Sequence, residues 1–232
     1  MLKVRSLLAL LFGPLAAVFA LLLAFAPAQA QENAEAATPK PAVTLPTPDQ
    51  ADPDDILYLD LSTGGRVAIQ LYPQIAPGHV ERIKTLVRQG FYDGIIFHRV
   101  IDGFMAQTGD PTGTGSGGSD LPDLKAEFNA LPHVRGSVSM ARTNEPDSAN
   151  SQFFIVFYPR FSLDKNYTNF GRVISGMQYV DAIARGEPPA NPSRILQASL
   201  KSQNKPEPDY SAAATTAPQR KITVDDLNAP LN

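Results

Sequence analysis

The stretch DILYLDLSTGGRVAIQLY, residues 55–72, constrains the fold most. Two runs of strand-forming residues flank Ser62-Thr63-Gly64-Gly65, and in the second run Val67, Ile69 and Leu71 alternate with Arg66, Ala68 and Gln70. A period of two sends the apolar set to one face of a strand, and a Gly-containing turn between two such runs makes a hairpin. Six further short β-type segments follow, IIFHRV, GFMAQTG, GSVSMAR, QFFIVFY, NFGRVI and RILQASLK, separated by Gly, Pro, Asn and Asp. Helical spacing occurs at Val80, Ile83, Leu86 and Val87, between Pro77 and a stop at Gly90, and again in MQYVDAIAR before Gly186. This pattern predicts a mainly β fold. An eight-stranded antiparallel sheet closes on itself into a barrel, since closure removes exposed edges, and two α-helices cap it.

The ends of the chain read differently. Residues 1–30 carry Lys3 and Arg5, then an almost uncharged apolar run, then Ala28-Gln29-Ala30, and predict a cleaved export signal peptide. The alternative is a retained anchor, because Leu7 to Ala26 approaches the roughly 20 residues that span a bilayer, although Gly13 and Pro14 interrupt the run. Residues 31–53 are rich in Ala, Pro, Thr and acids without hydrophobic periodicity and read as a disordered linker. Residues 203–232 have the same character, with KITVDDL as a strand-like exception. One folded domain is expected at 54–202. With no Cys in the chain, disulfides, thiolate nucleophiles and Cys-based zinc sites are excluded. A Cys-free exported chain points to the bacterial periplasm.

Several chemistries find no support. Removing residues 1–30 takes away Lys3 and Arg5 and no acid, moving the net charge from −3 to −5, against a nucleic-acid partner. The loop GDPTGTGSGG, residues 109–118, lacks the terminal Gly-Lys-Ser/Thr of a phosphate cradle and no helical pattern follows it. No Gly-x-Ser-x-Gly elbow is present, and His79, His98 and His133 show no metal-binding spacing. His79 reads as a surface residue of the first helical turn and His133 as an exposed loop residue. His98 reads as structural, facing away from Arg99 by strand alternation.

Three blocks remain: FHRVIDGFMAQTGD (97–110), GSVSMARTNEPDSANSQFFIVF (136–157) and FSLDKNYTNFGRVISGM (161–177). In order and spacing they closely resemble the cyclophilin family of peptidyl-prolyl cis/trans isomerases, over about residues 54–202. The resemblance implies the barrel with two helices that the element count predicts independently. It also implies that Arg99 is the catalytic guanidinium and that Gln107 hydrogen-bonds the peptide backbone. Phe104, Met105, Phe154 and Leu163 would seat the substrate proline, while Ala141, the main chain of Arg142, and Gln152 would line the groove. Tyr167 stands where many members have His, and would close the pocket and offer a hydroxyl. Ser162 replaces the Trp of drug-sensitive members, which implies weak cyclosporin binding. Read without the resemblance, Phe104, Met105, Phe154 and Leu163 fit a plain core, and Phe153 is expected there in any case.

The expected activity is acceleration of X-Pro isomerisation in exported proteins by a monomer with no cofactor. Its partners would be proline-containing polypeptides, with no nucleic acid and no membrane contact beyond the signal segment. The alternative is a chaperone or scaffold that holds proline-containing segments in the same groove with little turnover. A third possibility is an assembly factor acting through the KITVDDL tail.

Overall fold

The structure is a computed structural model and describes residues 44–211. The expected signal segment, most of the linker and the KITVDDL segment lie outside the described residues. The chain runs β1 (Ile56–Leu61), β2 (Gly65–Leu71), α1 (Pro77–Arg88), β3 (Arg99–Ile101), β4 (Met105–Thr108), β5 (Ser137–Met140), β6 (Phe153–Val156), β7 (Asn169–Ser175), α2 (Met177–Asp181) and β8 (Ile195–Leu200). All ladders are antiparallel, in the order β3-β4-β6-β5-β7-β2-β1-β8.

Alternation is obeyed where it was legible. Leu57, Leu59 and Leu61 of β1 and Val67, Ile69 and Leu71 of β2 point into the main core, each 1% exposed or less. Helix α1 adds Val80, Ile83, Leu86 and Val87 to that core, and Gly90, at φ +70°, takes the left-handed conformation that ends the helix. Helix α2 is shorter than the apolar run suggested. Its Tyr179 ring would lie 2.1 Å from a Cβ at Gly65, so a side chain at that position would force the ring to move.

The sheet does not close into the expected barrel; it is an open half-barrel. The edge strands β3 and β8 share no ladder among the described residues. Ahead of them, Ile96 and Arg194 form a single bridge. The edge of β3 itself is taken by the loop before β8: Val100 N donates to Gly186 O at 2.8 Å and Gly186 N donates to Val100 O at 2.9 Å. A loop laid on a short edge strand satisfies the same backbone groups that closure would, so β8 does not continue across the gap.

The outer face of the β1–β2 hairpin is also covered. Gln70, which points outward, is 2% exposed and donates to Pro46 O at 2.8 Å. Asp60 is fully buried and accepts two hydrogen bonds from Arg66, one from Gln197 and one from Tyr210. Residues on both flanks of the predicted domain thus lie on this face.

His79 corrects the reading of a surface residue. It is fully buried, and Glu127 reaches it from a distant loop, accepting from the His79 and Gly78 amides at 3.0 Å each and pairing with His79 Nδ1 at 2.6 Å. The carboxylate satisfies first-turn amides that the helix leaves without partners, at its positive end.

Candidate active site

The register of three neighbouring strands builds the site. Arg99 of β3 stands opposite Gln107 of β4, Gln107 opposite Phe154 of β6, and Phe154 opposite Ser139 of β5. A parallel row places Ile101, Met105 and Val156 side by side. Residues directly opposite across a ladder share a face, so both rows project from the outer side, while Val100, Ala106, Ile155 and Val138 fill the main core behind them. Met105, Phe154 and Val156 form a second apolar cluster with Ile101, Phe104, Ala141, Leu163 and Tyr167 packed on it. Phe153 is fully buried in the main core, as expected, and Phe154 lies on the opposite face.

A pocket of about 340 Å³ opens above that cluster, lined by Arg99, Phe104, Met105, Gln107, Ala141, Arg142, Phe154, Leu163 and Tyr167 together with His98 and Gly115. Nine of the ten residues singled out from the sequence therefore meet in one concavity. The tenth, Gln152, lines an adjoining, more polar pocket of about 470 Å³ and reaches the first through Gln107.

The pocket floor is closely packed. Tyr167 meets the Phe154 ring edge-on at 5.7 Å, and the Arg142 guanidinium lies 4.7 Å over Tyr167. Arg142 also donates to Asn166 O at 2.9 Å and Thr143 O at 2.8 Å, so its side chain braces two loops. Arg160 lies 4.8 Å over Phe104. Leu163 sits at the end of a one-turn 3-10 segment, Phe161–Leu163.

His133 is fully buried behind Phe154, not exposed, and stacks on that ring at 6.4 Å. Asp164 Oδ1 is 2.8 Å from its Nδ1, and Ser139 Oγ is 2.9 Å from its Nε2. Ser, His and Asp here have the connectivity of a hydrolytic triad. Ser139 is fully buried, however, so no substrate carbonyl reaches its oxygen, and the chain of bonds supports the floor instead. No motif signalled it, because the three residues come from three separate segments.

The polar side of the pocket is one directed chain of hydrogen bonds. Gln152 Nε2 donates to Gly115 O and Gly117 O at 3.0 and 2.8 Å, and Gln107 Nε2 donates to Gln152 Oε1 at 2.8 Å. Arg99 Nη1 lies 3.5 Å from Gln107 Oε1, while Arg99 Nε donates to Glu187 Oε2 at 2.7 Å. Each amide is oriented by its neighbours, and one N–H of Gln107 stays available to a bound peptide. Glu187 was absent from the sequence reading.

The Gly-rich loop that receives this chain is anchored by Asp110. Burial pushes the Asp110 carboxyl up, but hydrogen bonds from the Thr112 side chain and from the Thr112, Gly117 and Gly115 amides outweigh it and hold it at about 2. His98 also departs from its expected orientation. Ladder pairing begins only at Arg99, so alternation does not turn His98 away, and its ring lines the pocket at 4% exposure. Burial, and secondarily the Arg99 charge, push its imidazole below the usual range, while Asp110 opposes them. Among the described residues no group of three or more His, Asp or Glu is placed to hold a metal ion.

Comparison with known proteins shows the family and the fold. Residues 58–200 match the family model described as cyclophilin type peptidyl-prolyl cis-trans isomerase/CLD. A probable peptidyl-prolyl cis-trans isomerase of Brucella suis is 46% identical over 175 residues, covering 68% of this chain and 89% of the relative. Peptidyl-prolyl cis-trans isomerase B of Bacillus subtilis is 42% identical over 132 residues, 56% of this chain and 91% of the relative. Among solved structures, a cyclophilin from Hirschia baltica superposes with a TM-score of 0.62 at 30% identity, over 70% of this chain and 84% of the other. A cyclophilin-type isomerase from Cryptosporidium parvum, crystallised in the presence of the dipeptide Ala-Pro, superposes with a TM-score of 0.59 at 28% identity, covering 62% of this chain and 98% of the other. With its matched region, its eight-strand order and its two-row site in place, the chain belongs to the family of cyclophilin-type peptidyl-prolyl cis-trans isomerases, an enzyme class.

Proposed function

We propose that this enzyme accelerates cis/trans isomerisation of X-Pro bonds in exported proteins, with Arg99 stabilising the twisted amide. Amide resonance opposes rotation with a barrier of about 18–20 kcal/mol, while the two X-Pro isomers differ by only about 0.5–1 kcal/mol. A catalyst therefore needs no covalent step. It must bind the twisted state, in which the prolyl nitrogen recovers its lone pair, better than either planar state. A permanently protonated guanidinium aimed at that nitrogen does so.

The observation that carries this reading is the cross-strand row. Arg99 and Gln107 stand beside Phe154 and Met105, so a proline ring seated on the aromatic floor leaves its nitrogen and flanking carbonyls facing cation and amide. The apolar lining takes the ring; Gln107 and the Ala141–Arg142 edge take the peptide backbone.

Export rests on the composition of residues 1–30, and places the enzyme in the periplasm with envelope proteins as clients. The catalytic role is tested with Arg99→Ala in a protease-coupled assay on an Ala-Pro peptide. The expected loss is about 100- to 1,000-fold with the fold retained, the usual cost of one preorganised transition-state donor. Near-normal turnover sinks the role assigned to Arg99. Equal refolding assistance by wild type and Arg99→Ala would favour the binding module over the enzyme. Fusing residues 1–30 to a reporter tests export: retention in the cytoplasm overturns the periplasmic assignment.

A further inference from the structure

We propose that Glu187 is a positioning residue for isomerisation, holding the Arg99 guanidinium in the orientation in which its Nη groups face the proline pocket. The inference rests on the role proposed for Arg99 and adds the group that sets its geometry. Glu187 Oε2 accepts from Arg99 Nε at 2.7 Å, and Gln107 Oε1 receives Nη1 from the other side at 3.5 Å. The guanidinium is thus held at two separate nitrogens, which fixes the rotation of its plane as well as its position.

The placement of Glu187 is built by the backbone. Three consecutive residues of the loop before β8 grip the β3–β4 hairpin. Arg185 Nε donates to Asp102 Oδ1 at 3.1 Å, Gly186 exchanges both backbone hydrogen bonds with Val100, and Glu187 pairs with Arg99. Arg185 also lies 4.2 Å over the Phe157 ring. The register fixed by Gly186 and Val100 leaves Glu187 next to Arg99 in the only place the loop offers a carboxylate, since its other residues from Arg185 to Arg194 carry none. The loop that keeps the sheet open is therefore the element that presents this group.

Geometry also says why the carboxylate contact helps and does not simply neutralise. Glu187 engages Nε, the nitrogen nearest the aliphatic stem, so the Nη2 hydrogens and the second Nη1 hydrogen remain for the substrate. Glu187 is half exposed, so the pair is worth little to stability and its effect is read in turnover.

The test uses full-length protein, an Ala-Pro tetrapeptide and three variants, Glu187→Ala, Glu187→Gln and Arg99→Ala, plus the double variant. Glu187→Ala is expected to lower kcat about two- to fivefold with KM within about twofold and Tm unchanged. Glu187→Gln, whose amide oxygen still accepts from Nε, restores most of that loss. In the Arg99→Ala background, Glu187→Ala is expected to add nothing. The Arg99 Nε–H resonance is expected to exchange faster with solvent in Glu187→Ala. Wild-type kcat in Glu187→Ala, alongside a large loss in Arg99→Ala, overturns the positioning role alone. An equal loss from Glu187→Ala in both backgrounds also overturns it. Near-normal turnover in Arg99→Ala overturns the reading of Arg99, and the positioning role with it.

Discussion

Arg99 and Gln107 face each other across the β3–β4 ladder, and the Gln107 amide passes the contact on to Gln152 at 2.8 Å. The guanidinium is thereby tied to the Gly-rich loop through two glutamine side chains. Replacing Gln107 with Ala cuts this chain and, on the proposed reading, removes a donor for the peptide backbone. Losing a hydrogen bond to a charged group costs about 1.5–3 kcal/mol, equivalent to about 10- to 150-fold in kcat/KM. Gln107→Ala is expected to fall in the lower part of that range, because its bond to Arg99 is long. Stopped assays at several peptide concentrations check it, and a twofold effect or less would remove Gln107 from the machinery.

Phe153 and Phe154 are neighbours in sequence and opposites in effect. Phe153 packs against Tyr92 and Phe170 in the main core, at 5.5 and 6.2 Å, while Phe154 forms the pocket floor under Tyr167. Truncating either to Ala removes a buried ring at about 3–5 kcal/mol. Only Phe154→Ala is expected to reduce kcat/KM of the folded fraction, by more than about tenfold, since on the proposed reading the ring buries the substrate proline. Phe153→Ala should leave it within about twofold. Denaturation curves together with kinetics below the unfolding transition separate the two losses; matched kinetic losses would contradict the two-face assignment.

Much of this site was legible through the family resemblance of three motif blocks, since the residues alone fitted a plain core, and strand register is what turns the first block into geometry. FHRVIDGFMAQTGD contains both strands of one tight hairpin, so Arg99, Met105 and Gln107 are fixed relative to one another by the turn at Asp102-Gly103. Groups that act across long separations left no such mark. Glu187 is 88 residues from Arg99, and Glu127 is 48 from His79. His133 looked like an exposed loop residue because its neighbours are Pro, Asn and Arg, yet Asp164 and Ser139 supply the partners that make burial tolerable. Closure of the barrel was misread for a related reason. Counting strands shows how many edges need covering, and does not show that a loop would cover one of them.

Acid sensitivity follows from His79. Burial pushes its imidazole below 6.5, and the Glu127 hydrogen bond only partly offsets this. The folded state thus binds fewer protons than the unfolded state just below pH 6.5. The stabilisation is fully present above about pH 6.5 and is lost as pH falls toward the folded-state value, with a slope of at most about 1.4 kcal/mol per pH unit for one proton. His98, also lowered by burial, contributes with the same sign. His79→Gln is expected to flatten, without abolishing, the decline in urea stability between pH 6.5 and 5. An unchanged slope would mean that His79 keeps its proton affinity on folding.

Tyr210 lies outside the domain limits set from the sequence, yet its hydroxyl donates to the fully buried Asp60 at 2.7 Å. Arg66 and Gln197 hold the same carboxylate, and each also donates to the arriving segment, Arg66 to Lys205 O at 3.3 Å and Gln197 to Pro206 O at 3.0 Å. The segment from 205 to 210 therefore completes the shell of a buried charge on the outer face of the β1–β2 hairpin, with β5 and β7 lying between it and the β3–β4–β6 site in the strand order. Tyr210→Phe removes one donor from that charge, and the expected loss is about 1–3 kcal/mol in denaturant unfolding. Ending the chain at residue 203 should cost at least as much, because two carbonyl acceptors leave with the hydroxyl. Isomerase kinetics of both proteins, measured well below their unfolding transitions, are expected to match the parent within about twofold, since distant sites without shared partners act independently. A Tyr210→Phe protein with an unchanged midpoint would show that the hydroxyl contact adds nothing to stability. A kinetic loss without a stability loss would place the segment in communication with the proline pocket.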